Sequence, residues 1–124
     1  MRHPFSFPSD HGITSRMSFQ ENEIQKEIRK LARKFAQSEL KPVVAEDERN
    51  ENFRPELIEK LGELGLTGIP VSDQYGGAGL GYQEYISAIE EIAAVHATYA
   101  ISVAVTGLPQ VILSKFGNEN QKKI

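Results

Sequence analysis

From Ala97 to Ser114 the chain carries no charged residue. Within that stretch Thr98, Ser102, Thr106, Gln110 and Ser114 recur every four residues as a thin polar line, and nearly everything else is apolar or small. The recurrence is helical, and a helix this apolar around its girth must be buried on most sides. Yet the chain has only 124 residues, the size of a single domain. A bundle of four or five helices that small cannot easily enclose one of its own members. The excess apolar surface therefore requires either a partner or more of the same polypeptide. A membrane span is the sharper alternative, but Gly107, Pro109, Gln110 and the hydroxyl row make a poor lipid-facing helix. Pro109 also removes one backbone donor, which predicts a local kink.

The rest of the chain supplies further apolar stripes. Ser18-Phe19-Gln20-Glu21 has the form of a capping box. Behind it Ile24, Ile28, Leu31 and Phe35 fall at i, i+4, i+7 and i+11 on one helix face. Glu21, Glu23 and Glu27 come early, and Arg29, Lys30, Arg33 and Lys34 late, an order that complements the helix dipole and reads as a solvated face. Pro42 ends or kinks this helix. Asp47 to Phe53 is charged and without period, a connector. Pro55 suits a first helical position; Leu57, Ile58, Leu61 and Leu64 make a short stripe, and Gly65 is placed to cap it in the left-handed conformation. Leu66 to Val71 follows as an extended crossing, because Pro70 biases its predecessor away from helix.

Gly76, Gly77, Gly79 and Gly81 then form an elbow that can turn where a Cβ would clash. The elbow feeds a third helix, with Tyr82, Tyr85, Ile86, Ile89, Ile92, Ala93 and His96 on one side and Gln83, Glu84, Ser87, Glu90 and Glu91 opposite. After the uncharged helix, Gly117 closes the turn and Asn118 to Gln121 can cap another helix, whose first turn is Lys122 to Ile124. The chain stops inside an element that has barely begun, which reads as truncation. The expected fold is all-α: a helical bundle of four to five helices with a glycine-rich loop before the third.

Several function classes drop out. Net charge is −3, with no basic footprint for nucleic acid. With no cysteine, thiol catalysis, disulfides and thiolate metal sites are excluded. Residues 1–16 lack the apolar core of a secretion signal and read as a disordered leader or a cloning scar, with Met17 the candidate start. Gly77-Ala78-Gly79-Leu80-Gly81 is G-x-G-x-G with no strand before it and no Lys-Ser/Thr after it, which indicates neither a dinucleotide site nor a phosphate loop. His3, His11 and His96 have no metal spacing, and His96 reads as a half-buried residue at a helix end. Glu90 and Glu91 point about 100° apart around a helix and read as solvated rather than as an acid–base pair. No serine has a base partner, so these residues by themselves hold no catalytic constellation.

Three segments in register resemble the N-terminal helical domain of the acyl-CoA dehydrogenases. Leu57-Ile58-Glu59-Lys60-Leu61-Gly62-Glu63-Leu64-Gly65-Leu66 is similar to that family's second helix and following turn. Pro70-Val71-Ser72-Asp73-Gln74-Tyr75-Gly76-Gly77-Ala78-Gly79-Leu80, followed by Glu90-Glu91-Ile92-Ala93, resembles the domain's most specific signature. Phe116-Gly117-Asn118-Glu119-Asn120-Gln121-Lys122-Lys123 resembles its F-G-x-x-x-Q-K junction. Order and spacing hold across residues 18–124. The chain departs at Thr106-Gly107-Leu108-Pro109, where the family usually has a polar residue, then serine and leucine, without proline; that bears on the shape of the acyl pocket.

The resemblance implies a three-part subunit: residues 17–124 as the helical domain, then a middle β-domain and a C-terminal four-helix bundle. It implies FAD-dependent α,β-dehydrogenation of acyl-CoA thioesters, with a glutamate taking the α-proton, the flavin taking hydride, and electrons leaving to an electron-transfer flavoprotein. In relatives the base lies in the C-terminal domain and the main flavin contacts in the middle domain. No catalytic or cofactor-binding residue is therefore assigned here, and this chain alone is expected to be inactive and to hold no FAD. In relatives the third and fourth helices wall the acyl cavity; by register with the junction, Ala104, Val105 and Leu108 are the candidate substrate-binding residues. The resemblance further implies a homo-oligomer without nucleic acid or a membrane span, in the bacterial cytoplasm or the mitochondrial matrix. A helical protein-interaction module, docking a partner on the uncharged helix without catalysis, is the alternative from another class.

Overall fold

The computed structural model describes residues 20–123. The leader expected over 1–16, the candidate start at Met17, the cap at Ser18 and the terminal Ile124 lie outside the described residues. Among the described residues all regular structure is helical. Helix α1 spans Glu23–Phe35 and passes directly into a π-helical turn, Ala36–Leu40. Then follow α2 (Val44–Asn50), α3 (Pro55–Glu63), a 3-10 turn at Asp73–Tyr75, α4 (Tyr82–Ala93), α5 (Ala97–Phe116) and α6 (Glu119–Lys122). The all-α expectation holds.

Helix α4 is the centre of the packing, with α1 laid along one side and α5 along the other, while α3 touches α5. The core runs through all of them: Ala32, Phe35 and Leu40; Leu57 and Leu61; Leu66 and Ile69; Tyr85, Ala88 and Ile92; Tyr99, Ala100 and Val103. Each of these stripes removes apolar area from water, the main favourable term in folding. Pro55 opens α3 and Gly65, at φ 75°, closes its turn as expected.

The start of α1 differs from expectation. Asn22 is its N-cap: the Asn22 side chain accepts from the Gln25 N–H at 2.8 Å, and the Gln25 side chain accepts from the Asn22 N–H at 3.0 Å. Glu21, expected as the acid of the box, instead pairs with Arg29 at 2.6 Å. Inside the helix, Gln25, Ala32 and Phe35 are buried, whereas Ile24 is 52% exposed. Apolar spacing placed the face about one residue off because the polar Gln25 belongs to it.

The charged stretch expected as a connector begins inside α2, whose second half is Asp47–Asn50, so the glycine-rich loop precedes the fourth helix rather than the third. Its anchor is ionic rather than apolar. Asp47 is 1% exposed and takes the Arg54 guanidinium on both carboxylate oxygens at 2.8 Å and 3.0 Å, with Asn52 added at 3.0 Å. Arg54 holds the Asp47 carboxyl below its ordinary range. Burying such a group requires this pairing, and a periodicity search sees only polar letters.

Leu66 to Val71 is a run of turns, not an extended crossing. Its carbonyls receive the returning glycine loop, so the two legs close on each other. The polar side of α4, expected to face solvent, instead faces α1. Arg29 reaches Glu91 and Glu90 at 2.9 Å each. Arg33 takes both oxygens of Glu91 at 2.8 Å. Gln25 donates to Gln83 at 2.9 Å and to Glu84 at 3.0 Å. Arg33 first, and Arg29 after it, hold the Glu91 carboxyl down at about 2. Glu90 and Glu91 are thus no acid–base pair, and neither is Glu91 simply solvated.

Candidate functional site

The glycine loop is the first place to look for ligand chemistry. Gly76 and Gly79 are left-handed, at φ 86° and 64°, and a Cβ on Gly77 would run into the Val71 backbone. The path therefore needs glycine. Its donors, however, are spent. Gly76, Gly77, Ala78, Gly79 and Leu80 donate to the carbonyls of Asp73, Ser72, Gly68, Val71 and Ile69 at 2.7–3.1 Å. Gly81 donates to Glu84 Oε2 at 3.0 Å, which closes the N-terminus of α4. A loop with no free N–H cannot cradle a phosphate, so these residues do not fit a flavin dinucleotide.

Helix α5 presents a different opportunity. Tyr99, Ala100, Val103 and Gly107 turn inward. On the outer side Ile101, Val105, Leu108, Ile112 and Phe116 are 62%, 56%, 62%, 58% and 82% exposed. Spacings of four, three, four and four place these on one row, a face of large apolar side chains open to water. Of the candidate wall residues, Val105 and Leu108 lie in this row and Ala104 lies partly buried at its edge. The other row members were legible in the same spacing. Ser102 and Thr106 donate back to the carbonyls of Thr98 and Ser102 at 2.9 Å and 2.7 Å, so the hydroxyl line adds little outward polarity. By length and composition α5 could cross a membrane, with a mean hydropathy of 1.4. The helix continues unbroken through Pro109.

Two further polar features stand apart from that row. His96 is buried rather than half-buried, at 4% exposure, with its ring edge-on to Tyr99 at 4.7 Å and Nδ1 3.8 Å from Glu48. Among the described residues no cluster of three or more His, Asp or Glu could hold a metal. A half-open cleft of about 290 Å³ lies between the glycine turns, the end of α5 and α6, bordered by Gln110, Ser114 and Lys122. It holds no nucleophile–base pair, and it lies apart from Ala104, Val105 and Leu108.

A family profile, "Acyl-CoA dehydrogenase, N-terminal domain", matches residues 22–124. The chain belongs to the acyl-CoA dehydrogenase family. It is 37% identical over 108 residues to a short-chain-specific acyl-CoA dehydrogenase of Clostridium acetobutylicum, a match covering 86% of this chain and 28% of that one. It is 42% identical over 96 residues to an acyl-CoA dehydrogenase of Bacillus subtilis, covering 77% of this chain and 25% of the other. The structure of butyryl-CoA dehydrogenase from Megasphaera elsdenii superposes with a TM-score of 0.82 at 35% identity, covering 86% of this chain and 29% of that one. The chain thus spans about a quarter of the length of the relatives it matches.

Of the three segments that resemble acyl-CoA dehydrogenase signatures, Leu57–Leu66 supplies core side chains and the other two are backbone devices. The Pro70–Leu80 signature is the self-bonded loop. In the F-G-x-x-x-Q-K segment, a Cβ on Gly117 would lie 2.6 Å from the Leu113 carbonyl oxygen. Asn118 and Gln121 cap α6 reciprocally at 2.9 Å and 3.0 Å. These residues build the scaffold.

Proposed function

We propose that residues 17–124 are the N-terminal helical domain of an FAD-dependent acyl-CoA dehydrogenase, a subunit that continues into a β-domain and a C-terminal bundle and removes the α- and β-hydrogens of acyl-CoA thioesters. In this reading Ala104, Val105 and Leu108 wall the acyl pocket, and the rest of the row packs against the remainder of the subunit. The observation that carries it is the uncovered apolar side of α5 in a chain matching a quarter of its relatives' length. A row of this kind is suited to keeping water from an acyl chain and to being covered by protein. The flavin, when bound, supplies the hydride acceptor. The contribution of these residues is to position the acyl tail and exclude solvent.

The same reading makes the whole enzyme a homo-oligomer that passes electrons to an electron-transfer flavoprotein, in a bacterial cytoplasm or a mitochondrial matrix. The isolated chain is inactive and retains no FAD. The test is a chimera in which residues 22–124 replace the matching quarter of the Bacillus subtilis acyl-CoA dehydrogenase. Flavin retention with acyl-CoA-dependent bleaching supports the reading. A folded, flavin-loaded chimera that oxidises no acyl-CoA sinks it, and favours a helical interaction module instead.

A further inference from the structure

We propose that Tyr85 and Gly107 set the depth of the acyl pocket by fixing how closely α5 approaches α4, which makes Tyr85 a positioning residue for acyl-chain length. This rests on the reading of Ala104, Val105 and Leu108 as the pocket wall. Tyr85 lies on α4 at 8% exposure, and its hydroxyl donates across the helix pair to the Val103 carbonyl at 2.7 Å, with the Ala104 carbonyl at 3.5 Å. Gly107 makes the room for it. A Cβ there would land on the Tyr85 hydroxyl, 3.0 Å from Cζ and 3.3 Å from Cε1. Glycine is a poor choice in a helix interior, and this contact is the reason for it.

Two residues further on, Pro109 has no N–H to give the Val105 carbonyl, so this turn of α5 is one ladder bond short. The Tyr85 hydroxyl supplies a cross-helix bond at that same turn. Burial raises the Tyr85 phenol above its ordinary value, so the hydroxyl keeps its proton and remains a donor. Val105 and Leu108 stand on the uncovered side of the turn, and Val103 and Gly107 on the side facing α4. Any change in the α4–α5 separation here therefore moves the wall.

The geometry gives the effect a sign. Gly107→Ala needs about 1 Å more between the Tyr85 hydroxyl and α5 to restore van der Waals contact. The helix moves away from α4, into the space that Val105 and Leu108 border, and the pocket becomes shallower. Tyr85→Phe removes the hydroxyl and lets the helix settle back.

The experiment compares kcat/KM for hexanoyl-CoA and butyryl-CoA in the chimera. Gly107→Ala is expected to shift the ratio toward butyryl-CoA by about tenfold, the scale of a methylene misfit in an apolar pocket. Adding Tyr85→Phe is expected to return it to within about threefold. A purely structural role would lower both rates alike and leave the ratio unmoved. Thermal unfolding of the same variants in the 124-residue chain reads the contact itself, where Tyr85→Phe should recover part of the Tm lost in Gly107→Ala. An unsubstituted chimera without activity overturns both this inference and the functional reading. An active chimera whose ratio Gly107→Ala does not move, or whose shift Tyr85→Phe does not reverse, overturns this inference alone.

Discussion

Where α1 meets α4, charge answers charge: Arg29 and Arg33 close on Glu90 and Glu91, and Gln25 bridges to Gln83 and Glu84. On the far side of the bundle, the outer row of α5 is left open among the described residues. The first defies the rule of apolar inward and polar outward; the second shows the excess of apolar surface that the uncharged run Ala97–Ser114 leads one to expect. In the first, polar groups are turned inward because they satisfy one another; in the second, large apolar groups are turned outward and stay more than half exposed. Polarity by itself does not say which side of a helix is buried. The presence of a matching partner decides it.

That contrast can be broken most forcefully with acid. The Glu91 carboxyl is held at about 2 in the fold, against an ordinary value of 4.5. A carboxyl depressed by folding contributes stability that is fully present above its unfolded value. It is lost as pH falls from about 4.5 toward 2, and the loss is roughly 3 kcal/mol for this group. Urea midpoints at pH 6 and pH 2.5 should register that loss, and it should shrink in Glu91→Gln. An equal loss in the variant would show that the seam is not its source. Next in size is Glu91→Gln itself at neutral pH, which takes the charged acceptor from exposed Arg33 and leaves Arg29 only Glu21 and Glu90, and should cost about 1 kcal/mol by urea unfolding.

The outer row should behave in the opposite way. Leu108→Ser with Phe116→Ser removes large side chains that touch little of their own chain, so stability should change by less than about 0.5 kcal/mol. What should change is association. The parent chain is expected to self-associate through this row in sedimentation experiments, and the double variant to run as a monomer. A parent that stays monomeric with a sharp thermal transition would mean that the row is less adhesive than its exposure implies.

The legible parts of the sequence were those written in apolar spacing or in backbone-restricted residues. Leu57 and Leu61, Pro55 with Gly65, the glycine elbow and the Asn118 cap all lie where the pattern puts them, and the excess of apolar surface on Ala97–Ser114 was apparent from its lack of charge. The illegible parts were held by pairings between distant residues. Asp47 with Arg54 made a helix out of a stretch that reads as loop, and Arg29 with Glu91 buried a face that reads as solvated. The meeting of Tyr85 and Gly107 left a single sign, a glycine in an otherwise strong helix, but its partner could not be named without the packing of α4 on α5. Of the candidate wall, Val105 and Leu108 proved to share an open face, while Ala104 sits at its margin.

Glu84 joins two distant segments. One of its carboxylate oxygens stops the chain at Gly81 and the other is tied to Gln25. The angle at which the peptide leaves the elbow is therefore indexed to the first helix, two segments nearly sixty residues apart. A drift in the first helix would be transcribed into the elbow, and through α4 into the stance of α5.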